Sequence, residues 1–280
     1  MRNFVDLHTH SAASDGEMPP GEVVRLAERK RLAAVALTDH DTVDGLAEAR
    51  RAADALAIRF IAGVEISAQF VGGMMHIVGL GIDPASRPLA AVMRKLILSR
   101  RQRNPKMFAK LRQLGVEVTP AEVRAAAGAS RIVGRLHMAK VLCRKGYAKN
   151  IGDAFRRYIG YGAPAFVDKE RLTPTQAIEA IHAAGGLAIL AHPPHLCCAS
   201  TARLEQVVRE LAAAGLDGLE VYHSDHTAAQ TRYHLKLVRR MKLLVSGGSD
   251  YHGPDKPDSR LGLPRVPLAA VEQLLAKLDG

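Results

Sequence analysis

The chain has 280 residues, 48% of them hydrophobic and 24% charged, the profile of an ordinary globular protein with one large core or two smaller ones. No apolar run approaches the roughly 18 residues that span a bilayer, and Met1-Arg2-Asn3 leads straight into an apolar segment, so neither a membrane span nor a signal peptide is expected. The net charge of +11 is unevenly placed: residues 94–157 hold 17 of the 39 Lys and Arg with only Glu117, Glu122 and Asp153 as acids, which makes that segment +14 and the remainder −3.

Taken in order, Phe4-Val5-Asp6-Leu7 reads as a short buried strand that runs into His8-Thr9-His10, with Asp15 in the Ser- and Gly-containing loop beyond. Helical spacing over 20–31 is followed by a second apolar strand, 33–37, ending in Thr38-Asp39-His40. A helix over 43–56 leads to a third strand, 60–66, with Glu65 near its end, and a fourth, 74–80, contains His76. From 86 to 161 the spacing predicts helices only, over 89–114, 133–143 and 151–158. Thr119-Pro120-Ala121-Glu122 reads as a cap with proline in the first turn. Alternation then resumes. Helices over 173–184, 201–214, 226–240 and 268–278 separate strands that end at His192, His223 and Asp250-Tyr251-His252. Continuous apolar strands alternating with helices predict a seven-stranded parallel α/β sheet covered on both sides. Residues 1–86 and 162–280 would form that frame, with 87–161 as a basic helical insertion.

Polar residues recur at corresponding places. Residues i and i+2 of a strand point to one side, so His8 and His10 leave the first strand together, as do Asp250 and His252 the last. Active sites of parallel sheets and barrels lie at such strand ends. A hydrogen-bonded core histidine accounts for one or two of these residues but not for the set, which predicts a site for several metal ions. His182, His195, His226 and His234 read as surface or packing residues. The odd number of cysteines, Cys143, Cys197 and Cys198, argues against a disulfide framework and for a reducing cytoplasm.

His8-x-His10, Asp15, Thr38-Asp39-His40, Glu65, His76, Ala191-His192-Pro193 and Gly248-Ser249-Asp250-x-His252 together resemble the motif set of the PHP (polymerase and histidinol phosphatase) family, over the chain from Phe4 to His252. The resemblance implies a distorted seven-stranded (β/α) barrel holding two or three divalent ions, with Mn²⁺ favoured and Zn²⁺ or Fe²⁺ as alternatives. Carried over by position, one metal would take His8, His10, Glu65 and Asp250. A second would share Glu65 and add His76 and His192, and a third would take Asp15, His40 and His252. Asp15 stands where some members have histidine, and a carboxylate is the harder ligand, which favours Mn²⁺.

Such ions lower the pKa of a bridging water, and the resulting hydroxide attacks phosphorus. A cationic side chain should hold the remaining phosphoryl oxygens, and arginine suits that task because its planar fork pairs with phosphate. Gly134-Arg135-Leu136-His137 resembles the Gly-Arg-Pro-His motif of one subgroup, which makes Arg135 the candidate. His223 would protonate the leaving oxygen or bind phosphate, and Arg103, Asn104 and Lys106 are further substrate-binding candidates. That subgroup contains nucleotide 3′,5′-bisphosphate phosphatases and a 5′→3′ ribonuclease of short RNA. The expected activity is therefore removal of the 3′-phosphate from a nucleoside 3′,5′-bisphosphate, with short-RNA hydrolysis as runner-up and a small monoesterase such as histidinol-phosphate phosphatase third. A non-enzymatic nucleic-acid-binding module with structural metal is disfavoured, because nine His, Asp and Glu candidates without cysteine are a catalytic ligand set, and the 4% aromatic content leaves few stacking platforms. No obligate protein partner is expected.

Overall fold

The computed structural model describes residues 2–128, 130, 132–254, 256 and 258–279. In chain order the elements are β1 (Phe4–Asp6), α1 (Pro20–Arg29), β2 (Ala34–Leu37), α2 (Leu46–Asp54), β3 (Arg59–Ala68) and β4 (Met75–Leu80). A run of helices follows: α3 (Arg87–Gln113), α4 (Pro120–Ala126), α5 (Arg135–Arg144) and α6 (Ile151–Ala154), which continues into a π-helical turn (Phe155–Ile159). The chain then forms α7 (Pro174–His182), β5 (Leu187–Leu190), α8 (Thr201–Ala213), β6 (Gly218–His223), α9 (Ala228–Met241), β7 (Leu244–Gly248), β8 (Val266–Pro267) and α10 (Glu272–Asp279). Among the described residues no helix is long and apolar enough to cross a membrane.

The strands form one sheet in the order β7-β6-β5-β4-β3-β2-β1-β8. Backbone bonds from Leu7 N to Gly247 O (3.0 Å), Asp250 N to His8 O (2.9 Å) and His10 N to Tyr251 O (2.8 Å) join its two ends into a nearly closed barrel. Two features differ from the sequence expectation of seven parallel strands. An eighth, two-residue strand pairs antiparallel with β1. And β4 is antiparallel to both β3 and β5. Only residues 69–74 link β3 to β4, too few for the crossover that a parallel pair requires. Because β4 runs the other way, its start, not its end, meets the strand ends of its neighbours, and that is where His76 sits.

Strand alternation divides the apolar residues. Val35 and Leu37 join the outer core with Val23, Val24 and Ala27 of α1, while Ala34 and Ala36 join the barrel interior with Val5, Leu7, Ile61, Val78 and Ile189. A third apolar core is built entirely within 107–165, from residues such as Met107, Leu111, Met138, Leu142 and Ile159. The helices of that segment start as the sequence signals. Thr119 Oγ1 accepts from Glu122 N (3.2 Å), and Glu122 Oε2 accepts from Thr119 N (2.8 Å).

The helical segment is fastened to the barrel by Leu89, Met93 and Leu96 of α3, which enter the outer core, and by charge. Asp41, fully buried in the left-handed region (φ 54°), follows β2 directly after His40. Its carboxylate accepts from Ser67 N at the end of β3 (3.0 Å), from the Arg100 guanidinium of α3 (3.0 Å to Nε) and from Lys169 Nζ (2.9 Å). Burial pushes the Asp41 carboxyl up, but Lys169 and Arg100 outweigh it and hold it well below its ordinary value.

Two outcomes follow from this architecture. A Cβ on Gly248 would lie 2.4 Å from both the backbone N and the Cβ of His8, so Gly248→Ala should cost about 1–3 kcal/mol. Thermal unfolding should fall by roughly 2–4 °C per kcal/mol, and elemental analysis should find less bound metal as His8 is displaced. Asp41→Asn leaves two buried cations without their carboxylate and should cost about 3 kcal/mol or more. The stability that ionised Asp41 supplies is complete above about pH 4, its unfolded-chain value, and is lost as pH falls below it. Urea midpoints between about pH 5 and pH 3 should therefore drop more steeply for the wild type than for the variant.

Candidate metal centre

Seven of the nine sequence-derived metal candidates reach the barrel mouth from loops that directly follow strands, or from a strand's first turn of backbone; Glu65 lies within β3 and Asp15 in the loop after His10. Glu65 is fully buried, and five imidazoles surround it. Its Oε2 lies 3.4 Å from His8 Nε2, 3.3 Å from His10 Nε2 and 2.8 Å from His40 Nδ1. Its Oε1 lies 2.8 Å from His76 Nδ1 and 2.9 Å from His192 Nε2. Asp250 Oδ1 stands 3.0 Å from His10 Nε2 and 3.6 Å from His8 Nε2, and Asp15 Oδ1 stands 3.4 Å from His252 Nε2. Four groups of potential ligand atoms result among the described residues: His8, His10, Glu65 and Asp250; His40, Glu65 and His76, beside which His192 lies; His10, Asp15, His40 and His252; and His8, Glu220 and His223.

The donor set fits divalent cations. His8 Nε2, both nitrogens of His10, His40 Nδ1, Glu65 Oε2 and His192 Nδ1 are buried without a hydrogen-bond partner among the described residues. Buried polar atoms are rarely left so, and His8 Nε2, His10 Nε2 and His40 Nδ1 all lie within 3.4 Å of Glu65 Oε2. Burial pushes the Glu65 carboxyl up, but His40, His76 and His8 overcome it and hold it well below the usual range. Asp15 and Asp250 are lowered in the same way, against burial, by the surrounding histidines. Burial pushes His8 and His10 down, but the neighbouring carboxylates raise both above the ordinary imidazole value; a divalent cation would displace those protons and take over the charge that balances the carboxylates. The backbone is strained here too: His192 (φ 27°) and Asp250 (φ 53°) are non-glycine residues at positive φ, a conformation that clusters at functional sites.

A supporting layer sets the tautomers, and most of it was not singled out from sequence. Glu220 Oε1 accepts from His8 Nδ1 (3.1 Å) and its Oε2 accepts from His192 N (2.7 Å), so the His8 lone pair on Nε2 faces the cluster. Burial opposes ionisation of Glu220, but His8 and His223 hold its carboxyl at about 2. Its signal in the sequence is a carboxylate inside an apolar strand, three residues before His223. Asp39 accepts from Ser11 N (2.8 Å), Ser11 Oγ (2.7 Å) and Ser14 Oγ (2.6 Å), which fixes the loop that carries Asp15. His252 Nδ1 donates to Asp250 O (2.8 Å), leaving Nε2 toward Asp15.

His223 is buried, and its Nδ1 accepts from Asp225 N (3.1 Å). Burial pushes it down to about 4, so near neutrality it is an uncharged imidazole with its proton on Nε2, 3.8 Å from Asp250 Oδ2. His195, read from sequence as peripheral, lies beside the centre with its ring 4.3 Å from that of His192.

Next to the candidate metal ligands stands a surplus of cations. Arg100, Arg103, Arg135, Lys169 and Arg171 influence one another electrostatically, with Asp41 and Asp168 as their neighbouring acids. Burial first, then Arg100, Arg135 and Arg171, press the Arg103 guanidinium below its ordinary value. Arg103 is 4% exposed, and its hydrogen bonds go to Asn104 Oδ1 (2.7 and 3.2 Å), while Asn104 Nδ2 donates to Val133 O (2.9 Å). In Gly134-Arg135-Leu136-His137 the histidine accepts from Gly134 N through Nδ1 (3.1 Å) and so caps α5. Ser130 Oγ donates to Ala13 O (3.0 Å) and Lys140 Nζ to Glu17 Oε1 (2.9 Å), which seats this part of the helical segment on the loop around Asp15. Lys106 is not brought to the site. It lies on the exposed face of α3, because the helical period turns Arg103, Asn104, Met107 and Phe108 inward and Pro105 and Lys106 to solvent.

The sequence matches the PHP domain family over residues 6–173. It is 35% identical over 258 residues to a 3′,5′-nucleoside bisphosphate phosphatase of Chromobacterium violaceum, covering 92% of this chain and 90% of that one. It is 38% identical over 255 residues to a 5′-3′ exoribonuclease of Haemophilus influenzae, covering 91% and 92%. An amidohydrolase structure from Chromobacterium violaceum, with bound sulfate and no metal, superposes with a TM-score of 0.88 at 34% identity, over 98% of this chain and 96% of that one. The family's fold, a barrel whose mouth gathers histidines and carboxylates from nearly every strand, is the one built here, and the chain belongs to the PHP domain family.

Proposed function

We propose that the chain removes the 3′-phosphate from nucleoside 3′,5′-bisphosphates, leaving the 5′-monophosphate. It is a phosphoric ester hydrolase that uses divalent metal. The observation that carries the substrate is the pairing of two anion-seeking regions: the metal-ligand cluster around Glu65 and, one residue beyond His40, the cation cluster of Arg100, Arg103, Arg135, Lys169 and Arg171 with few acids to balance it. A substrate with two phosphates satisfies both. The resemblance to a 3′,5′-nucleoside bisphosphate phosphatase over 92% of the chain supports the same reading.

In this reading His8, His10, Glu65 and Asp250 hold one ion, Glu65, His76 and His192 a second, and Asp15, His40 and His252 a third. The harder carboxylate of Asp15 favours Mn²⁺ there. Bound divalent ions supply charge neutralisation and water activation; the chain's own residues do the rest. Arg135, beside Arg100 and Arg171 and with no carboxylate bonded to it among the described residues, pairs its planar donors with phosphoryl oxygens. His223, neutral with its proton on Nε2, donates a hydrogen bond to an ester or phosphoryl oxygen. Arg103 and Asn104 form the wall for the other phosphate. The basic segment 87–161 serves as an insertion that covers the substrate side, and the free thiols of Cys143, Cys197 and Cys198 support a cytoplasmic setting.

One observation favours the second reading, hydrolysis of short RNA from its 5′ end. A cavity of about 630 Å³ runs along α3, lined by Arg100, Arg101, Arg112 and Arg124 with Phe108 and Val133, and among the described residues no carboxylate lines it. It shares Arg100 with the cation cluster, so a strand leaving the metal centre would meet further arginines. The resemblance to a 5′-3′ exoribonuclease accords with this.

The deciding test is phosphate release from adenosine 3′,5′-bisphosphate by Mn²⁺-loaded protein, beside a 5′-phosphorylated RNA trimer and histidinol phosphate. The bisphosphate should be turned over fastest; faster degradation of the trimer makes the RNA reading the correct one. Glu65→Gln should lose most bound metal by elemental analysis and about 10³-fold or more in kcat, since every ion it touches loses an anionic ligand. Arg135→Ala should lower kcat/KM by about 10- to 100-fold, the worth of a charge-assisted phosphate contact, with metal content unchanged.

A further inference from the structure

We propose that Phe155 and Phe166 are positioning residues that hold the Arg135 guanidinium in its phosphate-binding orientation. The inference rests on the reading that Arg135 contacts a substrate phosphoryl group. Its carbon Cζ lies 5.5 Å from the centroid of the Phe155 ring and 5.4 Å from that of Phe166, over both faces. The hydrogen bond it makes among the described residues, Nη1 to Ile159 O, is long at 3.5 Å. Direction therefore comes from the rings. An aromatic face attracts a cation without occupying its in-plane N–H donors, so those donors stay available to an oxyanion.

Both rings are themselves held. Phe155 opens the π-helical turn, which Gly160 N closes on Phe155 O at 2.7 Å. A Cβ at Gly160 would stand 2.6 Å from that oxygen, so the turn needs glycine there. Turns of this kind are rare and frequent at functional sites. This one supplies Arg135 with two contacts from its two ends, the Phe155 ring and the Ile159 carbonyl. Phe166 N donates to Ala163 O (2.9 Å), its carbonyl accepts from Lys110 Nζ (2.9 Å), and its ring meets Tyr161 edge-on at 5.4 Å. A long side chain restrained beforehand loses less freedom when phosphate binds.

The test is a double-mutant cycle in metal-loaded enzyme. Phe155→Leu, Phe166→Leu and Phe166→Tyr are made alone and with Arg135→Ala. The readouts are kcat and KM for adenosine 3′,5′-bisphosphate, the affinity for inorganic phosphate, and the melting temperature. Each leucine variant should lose roughly tenfold in kcat/KM and in phosphate affinity, and Phe166→Tyr, which keeps the face, should stay within about twofold of wild type. In the Arg135→Ala background the same leucine substitutions should change either quantity by less than about twofold, because the group they position is gone. Equal losses with and without Arg135 would overturn the proposal and mark the rings as packing only. So would leucine variants that bind and turn over normally while Arg135→Ala is impaired. A silent Arg135→Ala would instead remove the phosphate role of Arg135 itself. If the bisphosphate is not a substrate, the phosphate-affinity cycle alone decides.

Discussion

Five imidazoles facing one buried carboxylate, Glu65, are the constraint around which the molecule is arranged. They arrive from after β1, after β2, from the start of β4 and from after β5, and each distance to Glu65 is between 2.8 and 3.4 Å. Charge in such a place is tolerated only where opposite charge is held close and in fixed geometry. The second layer provides that fixity. Glu220, Asp39 and Asp6 each spend a buried carboxylate on holding a ligand or its loop, Asp6 by accepting from Ser249 N (2.8 Å) and Gly262 N (2.7 Å) beneath Asp250. A site of this kind is a property of the closed barrel, because the residues that meet at Glu65 are as far apart in sequence as His8 and Asp250.

Closure depends in turn on backbone approach. The β1–β7 contact brings His8 against Gly248 with no room for a side chain, and the hydrogen bonds continue past the regular strands through His8, His10 and Tyr251. The same ladder that closes the barrel therefore sets the separation of the first and last ligands. Reversal of β4 completes the ring: a short link forces it antiparallel, and its first residues, with His76, arrive at the mouth.

The helical segment contributes a different kind of order. It has its own apolar core and joins the barrel both through Leu89, Met93 and Leu96 in the outer core and through charge, Asp41 with Arg100 and Lys140 with Glu17. Asp41 is the residue after His40, so one short loop serves both the metal centre and the basic wall beside it. Surplus positive charge that is partly desolvated is costly without an anion, and that cost is the physical reason for reading the wall as part of a substrate site.

By itself the sequence determined the strand ends and their chemistry. His8, His10, His40, Glu65, His192 and Asp250 stood out because a His, Asp or Glu at the end of an apolar strand breaks a simple pattern, and the helix start at Thr119 was legible because capping is local. The one-sided charge of 94–157 also stood in plain view. What only the tertiary structure decided was which distant groups meet. Glu220 is a single acid in an apolar strand that the barrel sets under His8, and Arg100 and Lys169, far apart in sequence, meet only at Asp41. Lys106, close in sequence to Arg103, was turned away by helical period. The antiparallel course of β4 and the eighth strand likewise depend on loop length and edge pairing rather than on hydrophobic pattern. Local chemistry is written in residue order, whereas pairing across the fold is fixed by backbone geometry that no short stretch of sequence contains.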